Sequence, residues 1–316
     1  MLNTKNSFGP QGWTPDRLGS LAGKTYVITG ANAGAGFEAT RVLLSKGATV
    51  VMMNRSADKS AAAIATLKQE FGSSADVTFV RMDLAALDSV REAATELLEK
   101  VPRIDALICN AAIAQVARQE ITVDGFESQL GVNHFGHFLL SGLLFDRIEA
   151  SAGRIVVVGS NAYKMGLKRI QFEDLNFDTN YTAWSSYAQS KLAQMMFAYE
   201  LQRRVEAAGK NVTVLVCHPG ASRTNLLKDT ASTFNKIVWS ILSRIIAQSA
   251  EKGSWPEVMC ATEEKVEPYK LYGPTKRSEM VGPVGECPLH ECALNQEAAA
   301  KLWALSEQKT SRYWSP

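Results

Sequence analysis

A tyrosine and a lysine four residues apart, Tyr187 and Lys191, are the pair in this sequence best placed to move a proton. The residues that follow, Leu192, Met195, Met196, Tyr199 and Leu201, recur at helical spacing, so positions 187 and 191 share one face and set a phenol beside an ammonium. A free tyrosine titrates near pH 10, too high for acid–base work near neutrality, but an adjacent cation favours the phenolate. Lowering that value by about two units takes roughly 2.7 kcal/mol, within reach of one lysine in a partly desolvated cleft. Tyr-x-x-x-Lys alone is a weak signal, because such pairs also arise on helix surfaces. Its meaning rests on the elements around it.

A second group of chemical interest lies near the amino end. The β-rich run 24–29 leads into Thr29-Gly30-Ala31-Asn32-Ala33-Gly34-Ala35-Gly36, and a helical stretch continues to Lys46-Gly47. Strand, glycine turn and helix in that order make a phosphate cradle: glycines admit close backbone approach, and the helix amino end offers free N–H groups and a positive dipole. The next strand, 49–53, ends at Asn54-Arg55-Ser56, where the adenosine ribose of a dinucleotide would lie. NAD sites usually place Asp or Glu there, whereas Arg pairs with a 2'-phosphate, so NADP is the expected cofactor.

Holding these groups together requires a layered fold, and the chain alternates accordingly. Strands are expected at 77–81, 106–109, 154–158 and 212–216, with helices at 88–99, at 126–148 and around Tyr187. Strands separated by helices predict an α/β fold, a doubly wound parallel sheet of Rossmann type, with its crevice at the carboxyl ends of the strands. No linker or repeat divides the series, so residues 21–316 read as a single domain and 1–20, rich in Gly, Pro, Asn and Ser, as an extension. Between the turn Cys217-His218-Pro219-Gly220 and the last strand, Ile237, Val238, Ile241, Leu242, Ile245 and Ile246 form one apolar stripe. This amphipathic helix, about 233–249, is read as a lid ahead of core packing, with membrane-surface contact last.

Composition narrows the function classes. At 316 residues and 46% hydrophobic content the chain can bury a sizeable core. With 34 basic against 32 acidic residues and a net charge of +2, nothing points to nucleic acid. The five cysteines, at 109, 217, 260, 287 and 292, are an odd number of cytosol-like usage. The start has no apolar leader and no eighteen apolar residues run together, so a cytoplasmic location is expected. Cys287-Pro-Leu-His290-Glu-Cys292 lacks a fourth ligand, and His134, His137 and His218 read as packing or hydrogen-bonding residues; no metal is assigned.

Taken in order, Thr29-Gly30-x-x-x-Gly34-x-Gly36, Asp83-Leu84, Asn110-Ala111-Ala112, Asn133, Gly159-Ser160, Tyr187-x-x-x-Lys191 and Pro219-Gly220 through Thr224 resemble the short-chain dehydrogenase/reductase family over about residues 20–305. Asn133-His134-Phe135-Gly136-His137-Phe138, Tyr181-Thr182-Ala183-Trp184 and Leu302-Trp303-Ala304-Leu305-Ser306-Glu307 resemble its retinol-dehydrogenase-like branch. The light-dependent protochlorophyllide reductases are next, similar around Cys109-Asn110-Ala111-Ala112 and Val158-Gly159-Ser160. The resemblance implies that Tyr187 is the general acid or base, that Ser160 hydrogen-bonds the same substrate oxygen, and that Lys191 tunes the phenol and binds the nicotinamide ribose. It implies that Asn133 holds a water linking Lys191 to solvent. Gly30, Asn32, Gly34 and Gly36 would contact the phosphates, Arg55 the 2'-phosphate, Asp83 and Leu84 the adenine, and Asn110 with Ala111 the adjoining ribose. Pro219, Gly220 and Thr224 would lie at the nicotinamide end.

Two departures stand out. Cys109-Asn110-Ala111-Ala112 replaces the family's usual Asn-Asn-Ala-Gly. The stretch from Ser160 to Tyr187 is long, and its Met165, Leu167, Phe172, Phe177 and Trp184 would either wall the substrate or pack as a satellite loop. The expected activity is NADP-dependent reduction of a carbonyl, or oxidation of the matching alcohol, on a hydrophobic substrate. Light-driven protochlorophyllide reduction is the alternative, and a non-catalytic dinucleotide sensor, which would be expected to lack Tyr or Lys, a remote one. Helices 126–148 and 185–206 resemble those through which family members pair, so a homodimer or homotetramer is expected.

Overall fold

In a computed structural model, residues 6–221, 249–314 and 316 are described. The amino-terminal half runs β1 (Thr25–Thr29), α1 (Gly34–Ser45), β2 (Thr49–Asn54), α2 (Ala57–Phe71), β3 (Val77–Arg81), α3 (Leu87–Lys100) and β4 (Ala106–Cys109). A helical rod follows, made of α4 (Ser128–Leu130), a π-turn (Gly131–Phe135) and α5 (Gly136–Ala150). Then come β5 (Arg154–Val158), α6 (Ala183–Ala207), β6 (Thr213–Cys217), α7 (Ala250–Thr262), β7 (Leu271–Lys276), β8 (Val281–Cys287) and α8 (Gln296–Thr310).

The strands form one sheet in the order β3-β2-β1-β4-β5-β6-β7-β8. Strands β1 to β7 pair in parallel, with Thr29 beside Met53 and Ile28 beside Ile108. Both faces of the sheet are buried, and side chains alternate between two cores. Val27 and Val51 join α3, α5, α6 and α8 on one side, while Tyr26, Ile28, Val50 and Met52 join α1 and α7 on the other. The strand order reverses between β1 and β4, so the crevice outside their carboxyl ends is where a ligand of this topology binds.

Two expectations are corrected. The sheet is not wholly parallel: β8 runs antiparallel to β7, because the intervening residues, with φ of 50°, 55° and 64° at Arg277, Ser278 and Glu279, make a tight turn and leave no length for a crossover. The rod expected over 126–148 is broken by the π-turn, which hydrophobic spacing cannot register. On the helices read as pairing elements, aromatic side chains of this same chain also pack. Trp303 of α8 and Trp314 beyond it pack their rings 5.1 Å and 5.7 Å from Phe138 of α5, and Trp303 lies 6.0 Å from Phe197 of α6. From Ser186 to Gln202 every residue of α6 is buried in the single chain.

The amino-terminal segment lies on the fold. Trp13 is fully buried, bridges Val284 of β8, and donates its indole N–H to Glu263 Oε2 at 3.2 Å. Thr224 and, but for its last residue, the helix expected at 233–249 lie outside the described residues. No helix among the described residues is long and apolar enough to cross a membrane.

Candidate active site

The glycine turn after β1 is held from three directions. Ala31 N–H donates to Asn54 Oδ1 at 2.7 Å, Asn110 Nδ2 donates to the Thr29 and Gly30 carbonyls at 2.9 and 3.2 Å, and Ala111 N–H donates to Thr29 Oγ1 at 2.9 Å. Gly30 has φ of 70°, a conformation that favours glycine, and a Cβ there would meet Ala111 at 2.9 Å. At Gly36 a Cβ would meet Asn110 Nδ2 at 2.5 Å and the Gly30 carbonyl at 2.7 Å. The residue before α1, Ala33, offers no side-chain cap, so the first-turn N–H groups face the cradle without one. A close backbone turn below an uncapped helix amino end is what a dinucleotide's phosphates require, and the residues fit that group. Asn32 and Gly34 line the same turn, half-buried. Arg55 is exposed at the carboxyl end of β2. Asp83 Oδ1 accepts from Ala85 N–H at 3.0 Å and shapes the turn after β3, where Leu84 is buried against Gly136.

The Tyr187 face of α6 lies over the ends of β5 and β6. Thr182 caps the helix by accepting from Ser185 N–H at 3.0 Å. Tyr187 packs with Ala114 and Ala162, and the Ser160 hydroxyl lies near enough to act on its phenol while accepting from Ala162 N–H at 3.3 Å. Ser160 follows β5 directly and caps the short turn Asn161–Lys164. Lys191 is buried, donates to the Val158 carbonyl at 3.0 Å, and lies 6.0 Å from the Tyr187 ring centre.

The electrostatics depart from expectation at one point. Burial pushes the Tyr187 phenol up, and the Ser160 hydroxyl draws it back in part; Lys191 is turned to the Val158 carbonyl and does not offset the burial. Burial also lowers Lys191 to about 7.

Asn133 sits in the π-turn with its amide engaged: Oδ1 accepts from Ile113 N–H at 2.9 Å, and Nδ2 donates to the Ile113 carbonyl at 3.0 Å and to Ser190 Oγ at 2.9 Å. It is a clamp between the loop after β4 and α6. The long stretch before Tyr187 divides. Phe177 is buried and Gln189 pins the loop through Gln171 N–H at 2.8 Å, whereas Met165, Leu167 and Trp184 are exposed, with the Trp184 ring 6.4 Å from that of Tyr187.

Pro219 and Gly220 follow β6, and the Gly220 backbone, φ 67°, leaves no room for a Cβ beside the Met280 carbonyl. His218, Glu279 and Cys287 bring ligand-type atoms within 4.8 Å of one another. His218 Nδ1 accepts from Gly220 N–H at 3.2 Å, which leaves the ring proton on Nε2, and Glu279 is paired with Lys164 at 2.7 Å. That arrangement is a hydrogen-bonded corner under the turn. His290 instead caps the Glu291–Leu294 turn. Asn54 closed its strand with no signal of its bond to the glycine turn, and Thr29, which opens the glycine motif, had no role assigned to its hydroxyl.

Residues 24–172 match the model of the short chain dehydrogenase family. Retinol dehydrogenase 14 of Mus musculus is 38% identical over 307 residues, spanning 92% of this chain and 86% of that protein. This chain belongs to the short-chain dehydrogenase/reductase family. Human retinol dehydrogenase 13 is 36% identical over 293 residues, with 91% and 84% covered. A crystal structure of an uncharacterized protein from Mycobacterium paratuberculosis shares 38% identity and a TM-score of 0.79, covering 96% of this chain and 99% of that one. As a short-chain dehydrogenase/reductase the chain is an oxidoreductase, and its fold is one that takes a nicotinamide dinucleotide.

Proposed function

We propose that this enzyme reduces the carbonyl of an extended apolar substrate, or oxidises the matching alcohol, with NADP(H). The observation that carries this reading is the gathering of Tyr187, Ser160 and the buried Lys191 at the carboxyl ends of the strands, beside a cradle that fits a dinucleotide. Gly30, Asn32, Gly34, Gly36, Asn110 and Ala111 would hold the phosphates and ribose, Asp83 and Leu84 the adenine, and Pro219, Gly220 and Thr224 the nicotinamide end. When bound, the cofactor supplies or takes the hydride.

The chain's own residues manage the proton. Ser160 orients the substrate oxygen, and Tyr187 gives or takes its proton; burial raises the phenol, so it is held as the acid that reduction needs. Lys191 stands behind the tyrosine as the charge that stabilises the phenolate once the proton has gone, with Asn133 fixing the helix that carries both. The exposed Met165, Leu167 and Trp184 around the Tyr187 end, together with relatives named as retinol dehydrogenases, support an apolar substrate of retinoid type.

Tyr187→Phe should leave the NADPH Kd within about twofold while lowering turnover of all-trans-retinal by at least about a hundredfold, the typical worth of a general acid. Near-normal turnover by that variant would end the reading. Ser160→Ala should cost less, since it removes a hydrogen bond and no proton. Arg55 supports NADP over NAD because it stands exposed where an acid would favour a ribose hydroxyl. Arg55→Ala should weaken NADPH about tenfold and leave NADH unchanged, as titration by nucleotide fluorescence would read. Equal loss for both would remove Arg55 from phosphate recognition.

A further inference from the structure

A continuous run of buried hydrogen bonds crosses the site from the cofactor cradle to α6, and His137 is its middle link. Ala111 N–H donates to Thr29 Oγ1 at 2.9 Å, and Thr29 Oγ1 lies 2.9 Å from His137 Nε2. On its other side His137 Nδ1 lies 3.0 Å from the Asn133 carbonyl, one residue of the π-turn. From there Asn133 Nδ2 donates to Ser190 Oγ at 2.9 Å, and Ser190 Oγ donates to the Tyr187 carbonyl at 2.8 Å. A carbonyl only accepts, so Nδ1 carries the ring proton, and Nε2 accepts from the Thr29 hydroxyl, whose other acceptor, the Ile108 carbonyl, is farther at 3.4 Å. The direction of every bond in the run is thereby set.

We infer that His137 is a positioning residue that locks the cradle strand β1 and the catalytic helix α6 in one register, so that cofactor and phenol are placed by the same hydrogen-bond chain. The inference rests on the function proposed above. Three features support it. His137 is 1% exposed, so neither of its bonds competes with water. The ring stays neutral at working pH, because burial and the nearby Lys191 charge take it down to about 4, and only the neutral ring both donates and accepts. The π-turn, Gly131–Phe135, places Asn133 so that its carbonyl meets a side chain four residues on while its amide reaches Ser190.

The two arms of the imidazole can be separated by partial isosteres. An asparagine amide occupies the place of Nδ1, and a glutamine amide that of Nε2. His137→Gln keeps the Thr29 arm, so NADPH should bind within about twofold of the parent while kcat on all-trans-retinal falls about tenfold. His137→Asn keeps the Asn133 arm, so kcat at saturating NADPH should hold within about threefold while the NADPH Kd rises about tenfold. Thr29→Val removes the cradle hydroxyl without changing shape; it breaks the His137 link and also the bond from Ala111 N–H, so it should weaken NADPH at least as much as His137→Asn. In the double variant Thr29→Val with His137→Asn the losses should not add, and its affinity should match that of Thr29→Val alone, because the link that His137→Asn breaks is already gone. Losses that add, or both His137 variants changing Kd and kcat alike at unaltered melting temperature, would overturn the inference. The affinity cycle needs no turnover: a parent protein inactive on carbonyls would sink the proposed function, while the cycle alone would still decide the role of His137.

Discussion

Lys191 shows what a buried cation costs the fold that holds it. Its ammonium is buried with one carbonyl partner, and its titration falls from 10.5 to about 7. The unfolded chain therefore holds this proton more firmly than the native one between about pH 7 and pH 10.5, so this site's contribution to stability rises with pH across that window. Below pH 7 both states are protonated and the cost is constant. Lys191→Met should thus raise the melting temperature at pH 7 and flatten its rise toward pH 10 while abolishing turnover, a trade of stability against activity. A lower melting temperature at pH 7 would contradict the buried-cation account. Tyr187 and Lys191 stood out in the sequence because proton chemistry restricts residue type and helical spacing restricts position, and Ser160 stood out through the family resemblance; the structure brings the three to one end of the sheet. The environment was not legible: burial, a property of the assembled core, raises the phenol, and no local pattern reports it. His137 was visible only as a histidine beside a motif; its two partners come from β1 and from its own helix, and no local pattern joins them.

At the scale of elements, strands were the most legible part. Runs such as 77–81, 106–109 and 154–158 match β3, β4 and β5 end to end, since β-branched stretches bounded by turn residues leave little alternative. The π-turn and the antiparallel β8 escaped because each depends on a neighbour, the first on close packing of Gly131 and Gly136 and the second on the turn that precedes it. The βα unit at the amino end yields a direct test. The Cβ of Gly36→Ala would enter the space of Asn110 Nδ2 and the Gly30 carbonyl, both of them fixed, so the glycine turn must move. This variant should keep the far-ultraviolet spectrum of the fold but weaken NADPH by at least about tenfold, the scale of losing one or two hydrogen bonds to charged groups. Parent-like affinity would show that the phosphates do not sit in this turn.

At the scale of the whole molecule, α8 and the residues after it act as the outer wall of one core. Trp314 stacks with Trp303 at 5.0 Å, meets Phe145 at 5.4 Å, and lies close enough to Gly142 that a Cβ there would touch its ring at 3.0 Å; Arg312 adds a bond to the Gly142 carbonyl at 2.8 Å. Trp314→Ala should lose about 3–5 kcal/mol of stability, the usual range for a buried aromatic, and sedimentation should show species that grow with concentration as α5 becomes exposed. A monodisperse variant with parent-like denaturant midpoint would assign the wall elsewhere. The same wall bears on biosynthesis. A chain leaves the ribosome amino end first, so α5 and α6 emerge complete while the segment that shields them has still to be made. For that interval the nascent protein presents its stickiest surface to the cell, and a stop codon falling between Ala207 and Trp314 would make the interval permanent.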